Sequence, residues 1–161
     1  MHTLIRPLQS SDLAPLAEIV RDSLLACDEL DLQDLSAEDM ARWQEEILYL
    51  LTHPPAAQLV SLVATQAGVL QGVAQLNNDG EINVLLVAPA WQDQGIGAAL
   101  LQEIALHGHC AQLAQLQVHS THTAYGFFYR YGFRPGSREF NEWLIADLHQ
   151  WKFNHEQHLT H

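Results

Sequence analysis

The run Val87-Ala-Pro-Ala-Trp-Gln-Asp-Gln-Gly-Ile-Gly-Ala-Ala-Leu-Leu101 passes from one apolar stretch to another through Gln92, Asp93, Gln94, Gly95, Ile96, Gly97 and Ala98. Glycine costs backbone entropy inside regular structure, so the pair at 95 and 97 needs a reason. The first turn of a helix leaves its N–H groups without partners, and the helix dipole adds positive potential there. A phosphate can settle on those groups without lysine or arginine, provided no Cβ stands in its way. Pro89 cannot extend strand pairing and closes the strand just before the turn. A βα link that merely happens to carry glycines is the bland alternative. Side chains able to move a proton lie elsewhere in the chain, among them Glu81, His119, His122 and Glu142, each with a structural or surface reading as well. Glu81 starts the strand that runs into the glycine loop; a solvated carboxylate at a strand end is its plainer reading.

Several chemistries are disfavoured. The dinucleotide fingerprint G-x-G-x-x-G needs a third glycine where Leu100 stands, and a P-loop needs Gly-Lys-Ser/Thr after the glycines. Cys27 and Cys110 are isolated, with no CxxC, which fits a reducing cytoplasm better than a disulfide framework. His155-x-x-His158-x-x-His161 lies in a polar tail without a carboxylate-rich surround, so no metal site is assigned. The formal charge of −12, from 19 acidic and 7 basic residues, argues against nucleic acid as a partner and favours cationic ones. No apolar h-region opens the chain, and no apolar run reaches membrane-spanning length.

The elements that must position these groups follow from periodicity. Thr3 to Leu8 reads as a strand, and Ser10-Ser11-Asp12 supplies N-cap chemistry for a helix carrying Leu13, Leu16, Ile19, Val20 and Leu24 toward Cys27. Ser36-Ala-Glu-Asp39 resembles a capping box and opens a second helix to about Leu51, stopped by His53-Pro54-Pro55. Runs 59–65, 69–76 and 81–87, split by Gln66-Ala-Gly68 and Asn77-Asn-Asp-Gly80, form an antiparallel meander. A helix from about Gln94 to His107, a strand 116–119, a short helix 123–131 and an extended segment 138–148 complete the order β-α-α-β-β-β-α-β-α-β. Trp43, Leu48 and Leu51 read as core or as the wall of a pocket. The prediction is a single α/β domain over residues 1–150, with a mixed, mostly antiparallel twisted sheet flanked by helices, and a polar histidine-rich tail at 151–161.

Val87, Pro89, Gln92, Gly95 and Gly97, followed by Leu100 and Leu101, resemble the signature V-x-P-x-x-Arg/Gln-x-x-Gly-x-Gly/Ala of the GCN5-related N-acetyltransferase (GNAT) family. Ala124-Tyr-Gly-Phe-Phe-Tyr-Arg-Tyr-Gly-Phe133 is similar to that family's later A-x-x-F-Y-x-x-x-G-F, and Ile5-Arg6-Pro7 with Asp12-Leu13 to its first strand and helix. The resemblance implies the acyl-CoA N-acyltransferase fold, acetyl-CoA as co-substrate, and an amine acceptor, either a small molecule or a peptide. It implies that Leu85, Leu86 and Val87 offer strand-edge groups to the pantetheine arm, that Gln92 through Ala98 hold the pyrophosphate, and that Phe128 borders the coenzyme. Small domains of this kind often pair, which leaves both a monomer and a homodimer open.

Two positions depart from the family's pattern. Asp93 puts a negative charge in a loop that often holds a cation, either as a helix cap or turned toward the phosphates. The tyrosine that protonates the leaving thiolate stands four residues before the Gly of Gly-Phe, where this chain has Phe128; Thr121 replaces a frequent asparagine. Tyr129, one step or about 100° further round a helix, takes the acid role if the helix turns locally. A primary ammonium with pKa about 10.4 must also lose a proton, at roughly 4–5 kcal/mol at pH 7; the resemblance implies Glu81 as the base, with Glu142, His119 and His122 as further candidates. The acidic stretch Glu29, Asp31, Asp34, Glu38 and Asp39 is either a solvated face or a funnel for cationic amines. No cysteine falls in either motif, which favours direct attack in a ternary complex. The alternative is a coenzyme-A-binding regulatory or partner-binding module with the fold and without the chemistry.

Overall fold

Apolar residues at helical spacing bring helices onto both faces of one sheet. The structure, a computed structural model, describes residues 3–25, 36–120, 124–136 and 143–153. Cys27, Glu29, Asp31, Asp34, Thr121, His122, Glu142 and the histidines at 155, 158 and 161 lie outside the described residues.

Strand β1 (Leu4–Pro7) leads through a one-turn 3-10 helix, Ser10–Asp12, into α1 (Leu13–Leu25). Asp12 accepts the Gln9 N–H at 2.7 Å and holds the Arg6 guanidinium with both oxygens at 2.9 Å. Helix α2 (Ala37–Thr52) begins at Ser36, whose hydroxyl accepts from Asp39 N while Asp39 accepts from Ser36 N, the reciprocal cap read from the sequence. Strands β2 (Gln58–Gln66), β3 (Val69–Asn77) and β4 (Glu81–Val87) form the meander. Then come α3 (Ile96–Cys110), β5 (Gln115–His119), α4 (Tyr125–Arg130), β6 (Arg134–Pro135) and β7 (Trp143–Asp147). Among the described residues the sheet order is β1-β2-β3-β4-β5-β7-β6, with β4 and β5 the one parallel pair.

One face carries Leu62, Ala64, Ala74, Leu76 and Ile82 against Ile96, Leu100, Leu101 and Ile104 of α3 and Phe128 of α4. The other carries Val63, Val73 and Val84 against Leu16, Ile19 and Val20 of α1 and Leu51 of α2. Each such buried Leu, Ile, Val or Phe side chain stabilises by roughly 1.5–3 kcal/mol. Sequence reading missed β6, because a two-residue strand has no periodicity to detect. Trp151 donates its indole N–H to Gln102 at 3.1 Å and packs edge-on to Phe133, and Phe153 meets His109, so the tail's first residues cover the core.

Candidate active site

Strand β4 sets the geometry. Its register against β3 runs Gly72↔Val87, Val73↔Leu86, Ala74↔Leu85, Gln75↔Val84 and then Leu76↔Ile82, which leaves Asn83 as an extra residue, a β-bulge. Beside it, β5 pairs only with Glu81 and Ile82, opposite Gln117 and Val118. Beyond Ile82 the two strands part, so among the described residues the downstream half of β4 lacks a sheet partner on that side. Ala88 N donates to Gln71 O, which fixes the alternation: Val84, Leu86 and Ala88 turn their amide groups to β3, while Leu85 and Val87 turn theirs to the fork. The free-edge role assigned to all three residues 85–87 thus narrows to Leu85 and Val87. The Val87 carbonyl already accepts from the side chains of Gln92 (3.3 Å) and Ser23 (3.5 Å), both on the side away from β3.

The glycine loop closes the mouth of the fork. Pro89–Trp91 make a single 3-10 turn, and α3 starts at Ile96 with Gly95 as its N-cap at φ 82°. That left-handed conformation explains Gly95; a Cβ there would meet nothing within 4 Å, so crowding does not. The N-cap is Gly95, without a side-chain cap bond, which separates Asp93 from the capping role: it sits exposed at φ 62°, two residues before the cap. The helix ladder opens with Ala99 N on Gly95 O, leaving the N–H groups of Ile96, Gly97 and Ala98 without an intrahelical acceptor. Gly97 lies at the floor of the notch: a Cβ would stand 3.4 Å from the Phe127 ring and 3.5 Å from Val87 Cγ2. Gln94 reaches Ala90 O at 3.5 Å, and Gln92 is exposed beside it.

Helix α4 sets where Phe128 and Tyr129 stand. It ends with Gly132 at φ 94°, whose N–H bonds Tyr129 O, while Phe133 N bonds Phe128 O. This glycine-terminated cap pairs an apolar residue inside the last turn with one just beyond it, and Phe128 and Phe133 are that pair, with ring centroids 5.2 Å apart. Phe128 is therefore 4% exposed and belongs to the core, and the aromatic side chain facing Gly97 is Phe127, which sequence reasoning missed. The regular cap also holds Tyr129 on the outside, 47% exposed, stacked on Tyr125 and covered by the Arg134 guanidinium 3.6 Å from its centroid. The local turn that would bring its phenol inward is absent, so the acid assignment to Tyr129 loses its geometric basis.

Glu81 sits where β4 and β5 still pair. By strand alternation it shares the sheet face of His119 and Trp143, opposite the face that carries α3 and α4. Burial pushes its carboxyl above the ordinary carboxylate range; the charge of Asp79 acts in the same direction, and His119 opposes them. Across β5 and β7, His119 and Trp143 meet edge-on at 5.3 Å. A separate groove of about 530 Å³ between α1 and the β2–β3 turn is lined by Glu18, Asp22, Val69 and Ala88 together with the paired Arg6 and Asp12. Neither Glu81 nor the glycine loop lines it. Among the described residues no cluster of three His, Cys, Asp or Glu could hold a metal ion, and no helix is long and apolar enough to cross a membrane.

A mixed sheet forked at its parallel pair, with a bare helix start at the mouth of the fork, defines an acyltransferase fold. The chain belongs to the GNAT acetyltransferase family: the family model described as an acetyltransferase (GNAT) domain matches residues 31–149. No curated protein matches the sequence. Among solved structures it is similar to a GCN5-related N-acetyltransferase from Rhodopseudomonas palustris, with TM-score 0.75 and 22% identity over 91% of this chain and 96% of that one. It is similar to PaiA N-acetyltransferase from Thermoplasma acidophilum in complex with coenzyme A, with TM-score 0.73 and 21% identity over 91% and 99% of the two chains. A GNAT family acetyltransferase from Brucella melitensis in complex with acetyl-CoA follows at TM-score 0.64 and 19% identity, over 91% and 88%. At such identities the likeness speaks for the fold.

Proposed function

We propose that the protein transfers an acetyl group from acetyl-CoA to a primary amine by direct attack while both substrates are bound. The observation that carries this reading is the fork: β4 leaves β5 after Ile82 and presents Leu85 and Val87 to the gap, directly ahead of the bare start of α3. The coenzyme's shape fits that order, an amide-bearing arm followed by a diphosphate. Leu85 and Val87 would bond the arm as another strand would, and Gln92, Asp93, Gln94, Gly95, Ile96, Gly97 and Ala98 would wrap the diphosphate with main-chain donors. Phe127 would form the wall of the notch. The Thermoplasma and Brucella structures, solved with coenzyme A and acetyl-CoA, support this choice of donor.

Acetyl-CoA supplies a thioester whose carbonyl carbon accepts a nucleophile and whose thiolate leaves. Glu81 takes the proton of the acceptor ammonium, directly or through water, so that the neutral nitrogen can form the new C–N bond as the C–S bond breaks. Its raised pKa suits that work, because a carboxylate of ordinary pKa is too weak a base for an amine near 10.4. A thiol near pKa ~8.5 leaves readily as thiolate and takes its proton from water, so a buried Phe128 and an outward Tyr129 slow the reaction without stopping it. The acidic chain favours a cationic acceptor, small molecule or peptide.

Thiol release measured with acetyl-CoA and a panel of amines tests the proposal; acceptor-dependent release that falls in Glu81→Gln is expected. The buried Phe128 and the outward Tyr129 motivate one other reading, a coenzyme-A-binding module without turnover. Saturable coenzyme binding with no release for any amine would establish that instead.

A further inference from the structure

The fork has a cause inside the sheet. Gln75 is 0% exposed and has both amide hydrogens engaged, to Leu50 O at 2.9 Å and Ser61 Oγ at 3.1 Å, while its Oε1 accepts from Asn83 Nδ2 at 3.0 Å. Asn83 Nδ2 also reaches Asn77 Oδ1 at 2.9 Å, and Asn77 Nδ2 returns to Asn83 Oδ1 at 3.3 Å. Ser61 in turn donates to Gln58 Oε1. Leu50 belongs to the last turn of α2, where carbonyls have no intrahelical donor. One buried amide therefore joins the end of α2 to the bulged residue of β4.

The bulge decides which residues face the fork. A strand alternates its edge groups residue by residue, so one extra residue reverses the assignment for everything beyond it. With Asn83 inserted, Leu85 and Val87 face the gap; without it, Val84 and Leu86 would, and Leu85 and Val87 would turn to β3. A bulged residue has no place in the ladder, and here its side chain supplies the missing bonds.

We propose that Gln75, Asn77 and Asn83 are positioning residues that hold the β4–β5 fork open in the register the coenzyme needs and couple it to the last turn of α2. The coenzyme's part in this inference rests on the function proposed above; the coupling of fork to helix does not. Asn83→Asp keeps the shape of the side chain but replaces the donor that serves two oxygens, and Gln75→Leu removes the junction while keeping most of its volume. Val63→Ala, a fully buried truncation under α1 on the same face, controls for lost stability alone.

Each variant is titrated with coenzyme A, assayed for KM and kcat, and followed by amide hydrogen exchange and urea unfolding. Both network variants should bind coenzyme A about tenfold more weakly or worse, since each leaves buried polar atoms unpaired. KM for acetyl-CoA should rise more than kcat falls, and exchange should quicken together in β4 and the last turn of α2. Val63→Ala should lose comparable stability and keep its affinity. Wild-type affinity in Asn83→Asp and Gln75→Leu, or an equal loss in Val63→Ala, overturns the proposal. If the wild-type protein takes up no coenzyme A, the functional reading fails, and exchange alone decides the coupling: a joint change in β4 and α2 supports it, and independent behaviour overturns it.

Discussion

Replacing Gly97 by alanine should move stability and coenzyme binding in opposite directions. Gly97 is the second residue of α3, and a Cβ there would stand 3.4 Å and 3.5 Å from two Phe127 ring atoms and 3.5 Å from Val87 Cγ2. Those are ordinary contact distances, so alanine fits without displacing the strand. Alanine exceeds glycine in helix propensity by up to about 1 kcal/mol, and the new methyl adds contacts with the Phe127 ring. Unfolding free energy in urea should hold or rise by a few tenths to about 1 kcal/mol. Binding should suffer, because the methyl occupies the floor of the notch through which the diphosphate would approach the bare N–H groups. Losing one charge-assisted hydrogen bond costs roughly 1.5–3 kcal/mol, which is roughly a ten- to hundredfold weaker Kd. Calorimetric titration with coenzyme A and urea unfolding of the same preparation measure both quantities. Unchanged affinity would refute the placement of the diphosphate at this helix start. A parallel loss of stability and affinity would show that the glycine serves folding alone.

Glu81→Gln should lower kcat/KM for the amine by roughly 10²- to 10⁴-fold, with coenzyme binding unchanged by calorimetry. Because burial and Asp79 hold the Glu81 pKa up while His119 draws it down, the acidic limb of the rate profile should lie above the ordinary carboxylate range. Asp79→Asn should move that limb to lower pH and His119→Ala to higher pH; a limb indifferent to both removes Glu81 from the base role. Tyr129→Phe should leave turnover within about twofold, since the assisting hydroxyl would have contributed on the order of 10²-fold or more; a drop of that size would restore the phenol as the acid. The Arg6 guanidinium, with a smaller contribution from the Gln9 N–H, holds the Asp12 carboxyl below its usual range against the effect of burial. A depressed carboxylate contributes stability that is present above its unfolded pKa and lost as pH falls through the folded one. Arg6→Gln should therefore cost about 1–3 kcal/mol at neutral pH and flatten the acid side of the stability profile, as urea unfolding between neutral and acidic pH would show.

What could be read from the sequence followed the strength of local signals. The cap of α2 at Ser36 and Asp39, the turns around Gly68 and Gly80, and strand β4 came through because their chemistry lies within a few residues. The glycine loop was legible for the same reason, since Gly95 and Gly97 announce a backbone that must bend and stay uncovered. The misses depend on partners distant in the chain. Asn83 looks like an ordinary polar position in a strand until the register with Gln75 and Leu76 shows it to be the extra residue. Phe127 and Phe128 are adjacent and chemically identical, and only the cap that ties Phe128 to Phe133 decides which one faces the notch. Tyr129 was assigned by counting, and the stacking with Tyr125 and Arg134 that turns it outward could not be counted.

In the proposed complex, main-chain groups of the fork and of the α3 start would hold the acyl donor. Amide NMR during titration with coenzyme A tests it most directly. Saturable shifts should gather on Leu85 and Val87 and on Ile96, Gly97 and Ala98, with Leu86 less affected because its N–H is engaged with β3. Shifts confined to other parts of the sheet, or none at saturating coenzyme A, would contradict it.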